Sequence, residues 1–174
     1  MDPVSGAPFV VVIGPPGVGK STVAAELAAR LGRTLVDTDA LVEERAGAAI
    51  ADIFLDRGEA AFREMESEAV LDGLRQEGIV LALGGGAPMT PAVGEALEGH
   101  RVLLLDVGIA DAARRIGLNV SRPLLGVNPR RSWIATMRER RPTYERLASW
   151  QVDTSGRDVP EVLEAVLAAM GEAR

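Results

Sequence analysis

The 174-residue chain contains no cysteine, one histidine and one lysine. Without cysteine there is no disulfide framework, no thiolate nucleophile and no zinc–thiolate site. His100 stands alone ahead of an apolar run, brings no second ligand of its kind, and reads as a loop residue. Aromatic residues make up 3% of a sequence that is 47% hydrophobic, which predicts an aliphatic core. Positive charge is also short, with nineteen Lys and Arg against twenty-five Asp and Glu, a net charge of −6. That balance argues against general binding to nucleic acid or an anionic membrane, while leaving room for a local basic pocket. No apolar run is long enough to cross a bilayer, and the first residues lack a basic leader pattern. A cytoplasmic protein is expected, with one domain over 1–174.

The basic residues present are eighteen arginines and Lys20. That lysine lies in Gly14-Pro15-Pro16-Gly17-Val18-Gly19-Lys20-Ser21-Thr22, which fits the phosphate-binding P-loop pattern. The apolar run Phe9–Ile13 precedes it and a helical pattern from Thr22 to Leu31 follows, the strand–loop–helix context that the motif requires. Glycines let main-chain N–H groups turn toward phosphate oxygens, and the helix aims its positive end at the same anion. Lys20 is expected to reach the β- and γ-phosphates of a nucleotide, and Ser21 to ligate Mg²⁺.

Apolar strand-like runs alternate with helical patterns, the signature of a parallel sheet covered by helices. The strands are expected at Phe9–Ile13, Thr34–Asp37, Ile79–Leu83, Arg101–Asp106 and Trp150–Asp153. Val23, Leu27 and Leu31 form one helical stripe; further helices are expected from about Glu59 to Gln76 and from Val159 to Met170. The polar stretch from about Gly117 to Arg131 resists assignment, and so long a connection in a compact domain is more often functional than idle.

Ligands of open α/β sheets gather at the carboxyl ends of the strands, where several unusual residues fall. Asp37-Thr38-Asp39 ends the second run, with its carboxylates on one side of an extended segment; Asp39 equally suits a helix N-cap. Phosphoryl transfer needs a carboxylate near Mg²⁺ and another to orient the attacking hydroxyl. Arg63 and Glu66 lie three apart on one helix and can pair. Gly84-Gly85-Gly86 removes side chains at a strand end, where a ligand can then touch backbone. Arginines at Arg122 and from Arg138 to Arg141 suit a lid over transferred phosphate.

Together these motifs resemble shikimate kinase from Val10 to about Leu167: the P-loop, Asp37-Thr38-Asp39, Phe62-Arg63-x-x-Glu66, Gly84-Gly85-Gly86, Arg122-Pro123-Leu124 and Arg140-x-Pro142-x-Tyr144. The resemblance implies a P-loop NTPase-like, three-layer α/β fold: five parallel strands in order 2-3-1-4-5, flanked by helices. It implies a substrate-binding helical region at about 38–66 and a mobile lid at about 112–128. The implied activity is phosphorylation of the 3-hydroxyl of shikimate by ATP with Mg²⁺, by a monomer. On that carry-over Lys20, Asp39 and Arg122 are catalytic, and Asp39 is the candidate base. Gly17, Val18, Gly19, Lys20, Ser21, Thr22, Arg122 and Arg157 bind the nucleotide. Asp39, Arg63, Gly85 and Arg140 bind shikimate, with Glu66 orienting Arg63. Ser21 holds Mg²⁺, and Asp37 does so through water.

Three points depart from or compete with that pattern. Thr143 stands where the family usually carries an apolar residue. Arg141 is adjacent to Arg140 and rivals it for the substrate carboxylate. Asp106 closes a Walker B-like strand and rivals Asp37 for Mg²⁺, although capping the next helix is its preferred reading. A gluconate or nucleoside monophosphate kinase would keep the P-loop but has no reason to combine Phe62-Arg63-x-x-Glu66 with three glycines. A regulatory GTPase would need Asn-Lys-x-Asp, and the one lysine is already in the P-loop.

Overall fold

The computed structural model describes residues 6–117 and 128–171, and in it the three central strands of the sheet are buried while the two edge strands are partly exposed. They are β1 (Val10–Ile13), β2 (Leu35–Asp37), β3 (Val80–Ala82), β4 (Val102–Asp106) and β5 (Trp150–Asp153). All pairings are parallel and the order is β2-β3-β1-β4-β5, as the motif series implied. A parallel sheet is covered on both faces, which is why β1 and β3 read as unbroken apolar runs.

Period-two alternation divides the core between those faces. Val10, Val12, Leu103 and Leu105 point to one side, against α1 (Lys20–Arg30) and α7 (Val159–Met170). Val11, Ile13, Leu81 and Leu104 point to the other, against α3 (Ile50–Leu74), α4 (Pro91–Leu97) and α6 (Pro129–Leu147). A third cluster, Val42, Ile53, Phe62 and Ala69, joins α2 (Thr38–Ala46) to α3. The last helix, α5 (Ile109–Arg115), follows β4. Among the described residues no helix is long and apolar enough to cross a membrane.

The expected helix starting at Glu59 is part of a longer one. α3 begins at Ile50, and Gly58, with φ 83° and ψ 167°, interrupts it just before Glu59. The helical pattern restarts there because glycine is at ease in a conformation that other residues resist. Asp37-Thr38-Asp39 is not extended throughout, because β2 stops at Asp37 and α2 begins at Thr38. The N-cap is Asp37, whose Oδ1 accepts from the Asp39 and Ala40 N–H groups at 2.9 and 3.3 Å. Asp39 sits instead in the first turn of α2. Arg138 to Arg141 lie within α6, so those arginines are carried on a helix rather than in a loose connection. Of the expected lid at about 112–128, residues 112–115 form the end of α5; Arg122 lies outside the described residues.

Candidate active site

The loop between β1 and α1 is shaped by glycines that cannot be replaced. At Gly14 a Cβ would come within 2.2 Å of the Leu105 carbonyl oxygen, so the phosphate loop lies directly on β4. Gly19, at φ 84°, is the N-cap of α1 and offers no side-chain cap; no acidic residue occupies the first turn. The opening N–H groups and the positive end of the helix therefore stay available to an anion. Lys20 Nζ donates to the Pro15 carbonyl at 3.1 Å, folding back over the loop. Gly17, Gly19, Lys20, Ser21 and Thr22 line one side of a cavity of about 350 Å³, with Asp37 and Asp39 across from them. Val18 is buried behind the loop.

Ser21 Oγ donates to Asp37 Oδ2 at 2.8 Å at the rim of this cavity. A hydroxyl beside a carboxylate oxygen suits Mg²⁺, a hard cation that keeps several waters and takes the rest of its shell from phosphate. Among the described residues no group of three or more His, Cys, Asp or Glu side chains is placed to hold a metal, so this sparse pair fits that mode of binding. Asp106 is occupied elsewhere. Its carboxylate receives Arg141 Nη1 at 2.5 Å and Nη2 at 3.2 Å, the Val107 N–H at 2.8 Å and Gln151 at 3.2 Å. It does not cap α5 either, where Gly108 is the N-cap.

Beside the phosphate loop, each glycine of the turn after β3 makes room for charged side chains. A Cβ at Gly84 would lie 2.6 Å from Asp39 Oδ1 and 3.0 Å from Glu66 Oε2. At Gly85 it would lie 3.3 Å from Arg140 Nη1, and at Gly86 it would lie 2.6 Å from both terminal nitrogens of Arg63. The turn thus gathers groups from α2, α3 and α6 that are far apart in sequence. Arg63 donates to the almost fully buried Glu66 at 2.7 Å and also faces Glu59 at 3.7 Å. Glu66 fixes the direction of the guanidinium and leaves its other donors for a ligand. Arg140 and Arg141, about 100° apart around the helix, face different partners, the glycine turn and Asp106. Thr143 is half-buried on the same helix.

Burial pushes the Lys20 ammonium down to about 8, against the pull of Asp39 and Asp37. Burial also raises the Asp39 carboxyl, with repulsion from Asp37 adding to it and Lys20 opposing. Glu66 is raised by burial, while its hydrogen bond with Arg63 acts in the other direction. Among the described residues Asp39 Oδ1 is buried without a hydrogen-bond partner. A buried carboxylate oxygen left unpaired is costly, and a donor such as a substrate hydroxyl would satisfy it.

A second cavity, of about 350 Å³, adjoins the loop on the α7 side and includes Arg157 and Val159. Arg115 borders both cavities and has no counterpart in the sequence reading. Its guanidinium donates to the Val18 carbonyl at 3.1 Å and to Thr154 Oγ1 and carbonyl, each at 3.0 Å. Contacts 97 and 39 residues away leave no local signal, so only the fold reveals this arginine.

A parallel sheet in this order, with a phosphate loop after β1, is the architecture of a P-loop kinase. The chain belongs to the shikimate kinase family, whose pattern it matches over residues 16–171. It is 48% identical over 163 residues to a shikimate kinase of Thermobifida fusca, covering 94% of this chain and 95% of that one. To a shikimate kinase of Streptomyces coelicolor it is 49% identical over 164 residues, covering 94% and 96%. A solved shikimate kinase from Acinetobacter baumannii, in complex with shikimate, superposes with a TM-score of 0.85 at 30% identity, covering 95% of this chain and 93% of that one. A gluconokinase from Sinorhizobium meliloti, at 15% identity and a TM-score of 0.57, shares the fold alone.

Proposed function

We infer that the protein transfers the γ-phosphoryl group of ATP to the 3-hydroxyl of shikimate, giving shikimate 3-phosphate and ADP in the pathway to chorismate. The observation that carries this reading is the glycine turn, which brings Asp39, Arg140 and Arg63 to three successive residues beside the phosphate loop. Shikimate is a small, polyhydroxylated carboxylate. It calls for two arginines on the carboxylate and an acidic group on its hydroxyls. Arg63 and Arg140 serve as the clamp, and the Gly85 main chain lies between them.

Asp39 orients the attacking hydroxyl and accepts its proton; its unpaired Oδ1 is the atom we assign to that contact. The phosphate-loop N–H groups and Lys20 hold the triphosphate and meet the charge that develops on the moving phosphoryl group. Ser21 and Asp37, the latter through water, would hold Mg²⁺, which would supply charge neutralisation at the phosphates. Arg157 borders the cavity assigned to the nucleoside, and Arg122 is assigned to the phosphates on the family pattern alone. The reading includes action as a monomer and as one domain over 1–174, on the family pattern. We place the enzyme in the cytoplasm, where ATP is supplied.

The test is ADP release with Mg²⁺–ATP and, separately, shikimate, gluconate and nucleoside monophosphates. Turnover only with shikimate is expected. Turnover with another acceptor and none with shikimate would overturn the reading.

A further inference from the structure

Tyr144 is the one tyrosine of the chain, and its side chain is 1% exposed in the cluster beneath α6. Its hydroxyl donates to the Gly85 carbonyl at 2.5 Å. Arg140 lies one helical turn away, and its Nη1 would come within 3.3 Å of a Cβ at Gly85, the residue whose carbonyl the hydroxyl meets. Gly85 in turn packs on the phosphate loop, where a Cβ would lie 3.2 Å from Pro16 Cδ and 3.4 Å from the Gly14 carbonyl. One hydroxyl therefore stands between the acceptor clamp and the backbone that faces the nucleotide.

We propose that Tyr144 is a positioning residue for the acceptor: it holds Arg140 and the Gly85 carbonyl in register, so that the guanidinium points its remaining donors at the shikimate carboxylate. This rests on the functional reading above. A phenol oxygen carries one proton and two lone pairs. Giving the proton to Gly85 leaves the lone pairs to receive one N–H of Arg140. The guanidinium is a rigid planar fork, so fixing one N–H fixes the direction of the others. Phenylalanine would fill the same volume in the apolar cluster while supplying neither contact. A tyrosine that served only the core would have no need to end against a charged group and a ligand-facing turn.

Tyr144→Phe is expected to raise KM for shikimate about tenfold, the size of one hydrogen bond to a charged group, with KM for ATP changed less than about twofold. In an Arg140→Ala background the same substitution is expected to change the shikimate KM by less than about twofold, because the contact it removes is already gone. Additive losses, or equal shifts in both KM values, would overturn the proposal.

A second measurement uses the folded wild-type chain. Since Tyr144 is alone, 3-fluorotyrosine incorporation gives one ¹⁹F resonance. It should move on adding shikimate, and in the ligand-free protein on Arg140→Ala but not on Arg138→Ala. A resonance that ignores Arg140→Ala overturns the proposal whatever the substrate result. Failure of the unsubstituted protein to turn over shikimate overturns the functional reading, and the proposal with it.

Discussion

Between Gly14 and Ser21 the site is shaped by main chain, whereas at Asp39, Arg63 and Arg140, around the glycine turn, it is shaped by side chains from three helices. The nucleotide side comes from one continuous segment. Its glycines and the uncapped start of α1 present N–H groups to phosphate, a chemistry shared by every nucleoside triphosphate. The acceptor side has no continuous segment at all. It exists because β3 is followed by three glycines that admit two carboxylates and two guanidiniums into the space a Cβ would take or crowd. Generic recognition is local in sequence here, and specific recognition is assembled by the fold.

The largest effects should come where the halves meet. Lys20 and Asp39 face one another across the cavity and each shifts the other's proton affinity. Lys20→Ala removes a preorganised charge and should lower kcat by roughly 10²–10³-fold. Asp39→Asn keeps the shape but cannot take a proton, and should lower kcat by roughly 10²–10⁴-fold. Steady-state kinetics at saturating ATP and shikimate checks both, and turnover within a factor of a few of wild type in either variant would remove that residue from the chemistry. The smallest effect should come from outside both halves. Arg141→Ala breaks the tie between α6 and Asp106, a pair that is partly exposed and so worth about 1 kcal/mol. A fall in Tm of about 2–4 °C is expected, read by thermal denaturation, with little change in kcat. A large loss of turnover would mean that Arg141, not Arg140, belongs to the clamp.

The same division explains what could be read from the chain. The P-loop and the parallel order were legible because periodicity and the motif are local, and β1 and β3 are buried on both faces. Asp39, Arg63, Gly85 and Arg140 were reachable only through a family pattern, since nothing in their spacing says that they converge. The adjacent arginines show the limit well. Spacing alone leaves Arg140 and Arg141 equivalent and only the family pattern favours Arg140, while the helical rotation between them sends one to Gly85 and the other to Asp106. Arg115 was illegible for the same reason, its partners lying at Val18 and Thr154. Asp37 and Asp39 were exchanged in the capping reading because α2 starts at Thr38, directly after the strand and two residues earlier than an Asp39 cap would place it.

The most direct test of the division itself is binding of shikimate and of ADP, each by calorimetry, to Arg63→Lys. Lysine keeps a positive charge beside the buried Glu66, which an alanine would leave unpaired at a cost of about 3–5 kcal/mol. It loses the planar fork that a carboxylate needs. The account predicts shikimate affinity lower by roughly tenfold or more, with ADP affinity within about twofold of wild type. Equal weakening of both ligands, or unchanged shikimate binding, would contradict it.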